Sequence, residues 1–212
     1  MTSPRTRRLA VLASGHGTNL RALADADRAG TLGGSIALVL SDRADAGALA
    51  IARERGIPAF ALDPGAPRTR LTDEAEAVWV EHLRAHDVDT ILLAGFMRIL
   101  HARFLGAFQG KVLNIHPSLL PAFPGVDAIA RALEHGAKVT GCTVHLVDGG
   151  IDEGPILMQS AVPVFDDDDL AALTKRVHGA EHALYAHAVR AFLTRPFAIE
   201  GRRVRWLAPD VP

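Results

Sequence analysis

Asn114, His116 and Asp152 are the residue types needed to manage the attack of an amine on a carbonyl carbon. Such an attack passes through a tetrahedral intermediate that carries an oxyanion and an ammonium at once. An amide N–H and a protonated imidazole stabilise the oxyanion. A carboxylate favours the ring's proton, orients the ring and receives the amine's proton directly or through water. The segment Asn114-Ile115-His116-Pro117-Ser118-Leu119-Leu120-Pro121 ends an apolar run, so Asn114 and His116 share one face at the end of a strand. Downstream, Asp148-Gly149-Gly150-Ile151-Asp152-Glu153-Gly154-Pro155 is a glycine-rich acidic loop that follows Thr143 and His145 and can bring a carboxylate to the imidazole. The same residues also read as a hydrogen-bonded turn without catalytic duty, with Asp148 capping it.

A second candidate is Ser14-Gly15-His16-Gly17-Thr18-Asn19-Leu20, which follows an apolar run and opens a helical pattern. Backbone amides and the helix dipole favour a phosphate at such a place. The dinucleotide fingerprint calls for a third small residue where Leu20 stands, so nicotinamide binding is disfavoured even though Asp42 mimics the ribose-binding acid. No Lys-Ser or Lys-Thr pair follows to suit a triphosphate and magnesium, and a phosphate monoester fits best. The alternative is a tight turn capped by Thr18 with no ligand.

Metal binding finds little support. The acids at 148 and 152 fail the calcium-loop spacing, no His-Glu-x-x-His occurs among the ten histidines, and the single Cys142 excludes thiolate clusters and an internal disulfide. Cys142 reads as a small packed hydrophobe. The acidic run 166–169 precedes a long helical pattern and is expected to cap it. Over 212 residues, 23 Lys and Arg balance 24 Asp and Glu for a net charge of −1, which argues against a nucleic-acid face. The basic tip at Arg5, Arg7 and Arg8 is expected to be a frayed terminus. No window is apolar enough to span a membrane, and the expected compartment is the cytoplasm.

Positioning these groups requires strands and helices in alternation. Apolar runs at 9–13, 36–40, 90–94 and 112–115 predict buried parallel strands, and helical spacing at 20–29, 46–55 and 73–85 predicts crossover helices, with Gly30 and Gly56 as stop signals. The result is an α/β fold, a Rossmann-like, doubly wound and mostly parallel sheet that binds ligands beyond its strands' carboxyl ends. Past the midpoint, alternation at 142–147 and a strand at 156–164 predict an antiparallel C-terminal portion, and a helix is expected over 170–193. The loop at 64–70 does not divide the chain. One domain over 1–212 is expected, with tails at 1–8 and about 197–212, the latter carrying Trp206, which can pack on the body or on a neighbour.

Taken in order, 14–20, Ala94-Gly95-Phe96-Met97-Arg98-Ile99-Leu100 and 114–121 resemble the phosphoribosylglycinamide formyltransferase family of folate-dependent formyltransferases. The resemblance continues through Thr143-Val144-His145, Asp152-Glu153-Gly154-Pro155 and Glu181-His182-Ala183-Leu184-Tyr185. It implies a single formyltransferase domain that moves a formyl group from 10-formyltetrahydrofolate, a co-substrate, to the amine of glycinamide ribonucleotide in purine biosynthesis, without a metal. Asn114, His116 and Asp152 match the family's catalytic trio. Gly17, Thr18 and Asn19 match its phosphate cradle, and Glu181 an acid that contacts the ribose hydroxyls. Met97, Arg98, Ile99, Leu100, Val147 and Asp148 match its pterin pocket, and Thr143 and His145 match supporting polar residues. Leu120-Pro121 matches a bond that is cis in relatives. His16 stands where the family often has Asn, and the loop holding Arg68 and Arg70 lacks the usual order of Arg, acid and aromatic, so neither arginine is assigned. The partners implied are small molecules; by analogy a homodimer is left open.

Related chemistry occurs in methionyl-tRNA formyltransferases, sugar-amine formyltransferases and the formyltetrahydrofolate hydrolase. The first is expected to carry a further RNA-binding domain and a basic surface, and the last an extra N-terminal domain. A different class of function is a non-catalytic nucleotide-binding module in which His116 only holds a turn. Convergence of Asn114, His116 and Asp152 separates the enzyme from the module.

Overall fold

The computed structural model describes residues 6–66 and 69–208, so Arg5 and Arg68 lie outside the described residues. Its contacts group the chain into two compact units, Met1–Leu113 and Asn114–Pro212.

The first unit is a parallel α/β layer. It runs β1 (Arg8–Leu12), α1 (Thr18–Arg28), β2 (Ser35–Ser41), α2 (Gly47–Glu54), β3 (Ala59–Ala61), α3 (Asp73–Ala85), β4 (Thr90–Leu93) and α4 (Ala102–Ala107). β1 pairs in parallel with β2 and β4, and β3 joins β2 in parallel, giving the order β3-β2-β1-β4. Both faces of the central strands are covered, which is why 9–12 and 91–93 read as unbroken apolar runs rather than alternating ones. Leu20, Leu23 and Ala24 supply the buried stripe of α1 at three- and four-residue spacing. The hydroxyl of Thr72 caps α3 by accepting from the N–H of Ala75 at 3.1 Å, and Asp73, Glu74 and Glu76 complement the helix dipole.

Glu76 is fully buried, a placement that costs a carboxylate heavily unless it is satisfied. Its oxygens accept the N–H of His101 and, at 3.0 Å, the N–H of Phe104. The otherwise orphaned amides at the start of α4 thus satisfy the charge, and α4 is tied to α3. Trp79 is also fully buried and donates its indole N–H to the Asp63 carbonyl at 3.2 Å.

The chain enters the second unit within β5 (Val112–His116), then forms α5 (Ala128–Glu134), β6 (Val139–Leu146), β7 (Ile156–Pro163), α6 (Leu170–Thr194), β8 (Phe197–Glu200) and β9 (Arg203–Trp206). β6 and β7 are antiparallel with Thr143 opposite Gln159, and β8 and β9 form an antiparallel hairpin. β9 meets β7 in parallel at Ile156 and Arg203. A mostly parallel α/β sheet with antiparallel strands toward the C-terminus is therefore the observed class, as the sequence predicts. Ile129 of α5, Val162 of β7, and Leu173 and Val177 of α6 form a buried cluster.

Differences from the expectation fall on short elements. The segment expected as a tail from about 197 instead pairs as β8 and β9, turning at Gly201 with φ 61°, and Trp206 packs on Phe197 at 5.5 Å and beneath the Arg195 guanidinium at 4.8 Å. At the other end, β1 already begins at Arg8, inside the expected N-terminal tail. The short β3, α4 and α5 lack a distinct periodic signature.

The acidic run before α6 works as a cap. Asp169 accepts from the N–H of Ala172 at 2.7 Å, and Asp168 binds Arg176 through both oxygens at 2.7 Å while accepting from the N–H of Phe165. Hydrogen bonding to Arg176 is the main cause holding the Asp168 carboxyl down, from 3.8 to about 2. A depressed carboxylate contributes stability that is complete above its unfolded value and lost as pH falls through its folded value. The thermal midpoint of Asp168→Asn is accordingly expected to lie below that of the wild type at about pH 5 and above, with the gap narrowing as pH approaches about 2. Melting curves across that range check it, and a gap independent of pH contradicts it.

Candidate active site

Asn114 and His116 stand at the end of β5, half-buried and buried respectively, and Thr143 and His145 point from β6 into the same region with at most 2 % exposure. Asp152 reaches them from the loop joining β6 to β7. That loop doubles back tightly: Leu146 N–H donates to the Pro155 carbonyl at 2.9 Å, and a Cβ at Gly154 would meet the Leu146 carbonyl oxygen at 1.8 Å. Only glycine fits position 154, and the close return delivers Asp152, itself in the left-handed region at φ 55°, toward the imidazoles.

The trio converges. Oδ2 of Asp152 lies 3.3 Å from Nδ1 of His116 and accepts from the N–H of Gly125 at 2.8 Å, while Oδ1 lies 3.5 Å from Nε2 of His145. Burial pushes the Asp152 carboxyl up, but the His145 side chain, the Gly125 amide and the charges of His116 and His145 together outweigh it and hold the group below its ordinary value. Asp152 is thus a carboxylate across the neutral range.

Ring orientation follows from the partners. Nε2 of His116 faces the Phe123 carbonyl at 2.9 Å, an atom that only accepts, so this nitrogen carries a hydrogen. Nδ1 faces the carboxylate, and a ring with hydrogen on both nitrogens satisfies both neighbours. Nδ1 of His145 likewise faces the Leu146 carbonyl at 2.9 Å, and its Nε2 lies 3.2 Å from Nδ2 of Asn114. That Nε2 serves one partner at a time: as a lone pair it accepts from Asn114, and as N–H it donates to Asp152.

Phe123 and Gly125 are not singled out by the sequence reading, because each contributes a backbone group for which side-chain identity is mute. The one available signal is the Phe123-Pro124-Gly125 turn composition, with Phe123 at φ 51° and Gly125 at φ 79°. The bond between Leu120 and Pro121 is cis.

Other predicted residues fall into separate groups. In the first unit, Gly17 takes φ 81°, and a Cβ there would sit 2.7 Å from the Ala48 Cα, so glycine lets α1 start close against α2. The capping role considered for Thr18 is not observed: Gly17 is the N-cap and no side chain caps α1, Thr18 being the first helical residue. The Ser14 hydroxyl accepts from the N–H of Met97 at 2.9 Å, tying the glycine loop to the 97–100 turn. Met97 and Ile99 are exposed at 62 % and 41 %, whereas Leu100 is buried. Arg98 is committed to Asp42 at 2.6 Å, so the acid that mimics a ribose-binding carboxylate is occupied by a guanidinium.

In the second unit, Val147 is half-buried, and Asp148 is exposed and accepts from the Gly150 N–H at 3.0 Å, capping a turn. Glu181 on α6 is 4 % exposed, with His178 Nε2 3.9 Å away. A groove of about 820 Å³ runs along the first half of α6 past Thr174, Lys175, His178 and His182, and none of the trio lines it. Cys142 is fully buried, the packed group expected from the sequence, and burial, reinforced by the charge of Glu181, pushes its thiol up to about 12.

Comparison with known proteins places this geometry in context. Residues 7–189 match the formyl transferase family, a span that runs through both units. The chain is 40 % identical over 187 residues to phosphoribosylglycinamide formyltransferase of Bacillus subtilis (strain 168), covering 88 % of this chain and 95 % of that one. It is 44 % identical over 191 residues to the trifunctional purine biosynthetic protein adenosine-3 of Drosophila melanogaster, where the match covers 89 % of this chain but only 14 % of that protein's length. A crystal structure of glycinamide ribonucleotide transformylase 1 from Symbiobacterium toebii superposes with a TM-score of 0.90 at 48 % identity, covering 96 % and 95 % of the two chains. With a family match spanning most of its length and a close-set amide, imidazole and carboxylate in its second unit, the chain belongs to the formyl transferase family.

Proposed function

We propose that this protein transfers the formyl group of 10-formyltetrahydrofolate to the primary amine of glycinamide ribonucleotide, yielding formylglycinamide ribonucleotide and tetrahydrofolate. The observation that carries the reading is the 3.3 Å approach of Asp152 to His116 beside Asn114, in a chain whose full-length relatives bear the phosphoribosylglycinamide formyltransferase name. The family match through both units supports their acting as one catalytic domain.

In the proposed mechanism the substrate amine attacks the formyl carbon, and the C–N bond forms as the formyl oxygen gains charge. Asn114 uses one amide hydrogen on His145, and its second is directed at that oxygen. The Nδ1 hydrogen of His116 supplies the other stabilising contact. At 3.3 Å its contact with Asp152 is longer than an optimal hydrogen bond, so the hydrogen is shared readily with a stronger acceptor. Asp152 then takes a proton from the new ammonium, directly or through water. Collapse of the intermediate breaks the bond to the folate nitrogen, which leaves with a proton.

Binding roles follow the same reading. The amides of Gly17, Thr18 and Asn19 at the uncapped start of α1 suit the substrate phosphate, and Glu181 suits its ribose hydroxyls. Met97 and Ile99 offer exposed apolar side chains to a flat pterin, with Arg98, Leu100, Val147 and Asp148 contributing to that pocket. Thr143 and His145 support the trio from β6.

Three outcomes are expected. A spectroscopic assay of the purified protein shows release of tetrahydrofolate that depends on glycinamide ribonucleotide; release at the same rate without acceptor identifies a hydrolase, and no release leaves a binding module. His116→Ala lowers turnover by about two orders of magnitude with the fold intact, and near-normal turnover in a correctly melting variant refutes the role. Asp152→Asn lowers turnover and removes the acidic limb that its carboxyl, held below the ordinary value, gives the pH–rate profile. A profile identical to that of the wild type argues against the partnership with His116.

A further inference from the structure

The turn that follows His116 is fastened by a residue from another strand. The register of β6 and β7 sets Thr143 opposite Gln159. The Gln159 amide nitrogen donates to the Leu120 carbonyl and to the Thr143 hydroxyl, each at 2.9 Å. Thr143 in turn donates to the Ser118 carbonyl at 2.7 Å and accepts from the Leu120 N–H at 3.1 Å. A hydroxyl has one hydrogen and two lone pairs, and an amide nitrogen two hydrogens. Here every one of them is used, so the network admits one arrangement.

What it holds is the segment 118–120, two residues beyond His116. The same turn continues to Ala122, whose carbonyl accepts from the Ser118 hydroxyl at 2.5 Å, and to Phe123, whose carbonyl takes the Nε2 hydrogen of His116. The turn thus leaves the imidazole and returns to grip it. Thr143 is fully buried and was expected to have a supporting role, but Gln159 is exposed, and substitutions of exposed residues are usually close to neutral. Removing its amide leaves the Leu120 carbonyl without that donor and frees one lone pair of Thr143, so the turn loses its tie to β7.

We infer that Gln159 is a positioning residue for His116, acting through Thr143 and the 118–123 turn without touching either substrate. The inference rests on the proposed role of His116 for its kinetic consequence but not for its structural one, and the test separates the two. Gln159→Met keeps the length of the side chain and removes both donors. Gln159→Lys keeps reach and donors and serves as the rescue. Imidazole 1H–15N spectra, with the His116 signals assigned by their absence in His116→Ala, report ring geometry independently of turnover. In Gln159→Met the His116 signals are expected to shift or broaden, and kcat to fall on the order of tenfold, less than the about hundredfold that a full ångström of misplacement costs. KM for both substrates stays within about twofold because binding contacts are untouched. Gln159→Lys restores both the signals and most of kcat.

Unchanged His116 signals in Gln159→Met, or an unchanged kcat in a protein whose His116→Ala variant is inactive, overturns the inference. So does a Gln159→Lys variant that melts like the wild type but is as impaired as Gln159→Met. If His116→Ala itself retains full activity, the proposed mechanism fails while the spectra still decide whether Gln159 positions the ring.

Discussion

A carboxylate withdrawn from water is the constraint around which the second unit is built. The side chain of Asp152 is 12 % exposed, and an ionised acid in that setting is tolerated only when its lone pairs are taken by donors. The Gly125 amide and the His116 imidazole supply them from different parts of the chain, with His145 a further donor when its Nε2 carries a hydrogen. The arrangement works in both directions. The imidazoles and the amide keep the acid charged, and the charged acid holds the imidazoles in place. Gly154 is the backbone condition for it, since only a residue without a Cβ lets the loop fold back onto the Leu146 carbonyl and present Asp152. The site is therefore less a set of three side chains than a closed ring of donors and acceptors drawn from β5, β6 and two loops.

Two kinds of element do different work in that ring. The strands set coarse position: β5 ends with Asn114 and His116 on one side, and β6 carries Thr143 and His145 alongside. Loops set orientation, because a carbonyl at 123 and an amide at 125 decide which nitrogen of His116 carries which hydrogen and which lone pair of Asp152 is occupied. Strand position is spread over extensive burial. Loop orientation depends on single hydrogen bonds and is correspondingly exacting.

That division explains what was legible in the sequence. Apolar runs at 9–13, 90–94 and 112–115 announce buried strands because both faces of those strands are covered, and the long α6 shows its periodicity over many turns. Asn114, His116 and Asp152 are legible because their side-chain types suit the chemistry proposed for them. Phe123 and Gly125 are not, since a carbonyl and an amide occur at almost every position and only folding selects which pair is used. Gln159 escaped notice for a related reason: an exposed glutamine on a strand resembles any solvated residue until the register sets it against Thr143. The hairpin of β8 and β9 was read as a tail because strands of four residues give too few alternations to distinguish them from irregular chain. The ion pair of Asp42 with Arg98 accords with the disfavoured dinucleotide reading, since the residue with the suggestive position along the chain is already committed to a guanidinium.

The lone thiol of the chain, that of Cys142, lies in β6, fully buried, and burial pushes it up to about 12. Disulfide exchange partners and thiol-directed electrophiles act through an accessible thiolate. Cys142 offers them none, so shifts in glutathione balance and thiol-directed inhibitors have no handle on it, and oxidation by peroxide falls instead on exposed thioethers such as that of Met97.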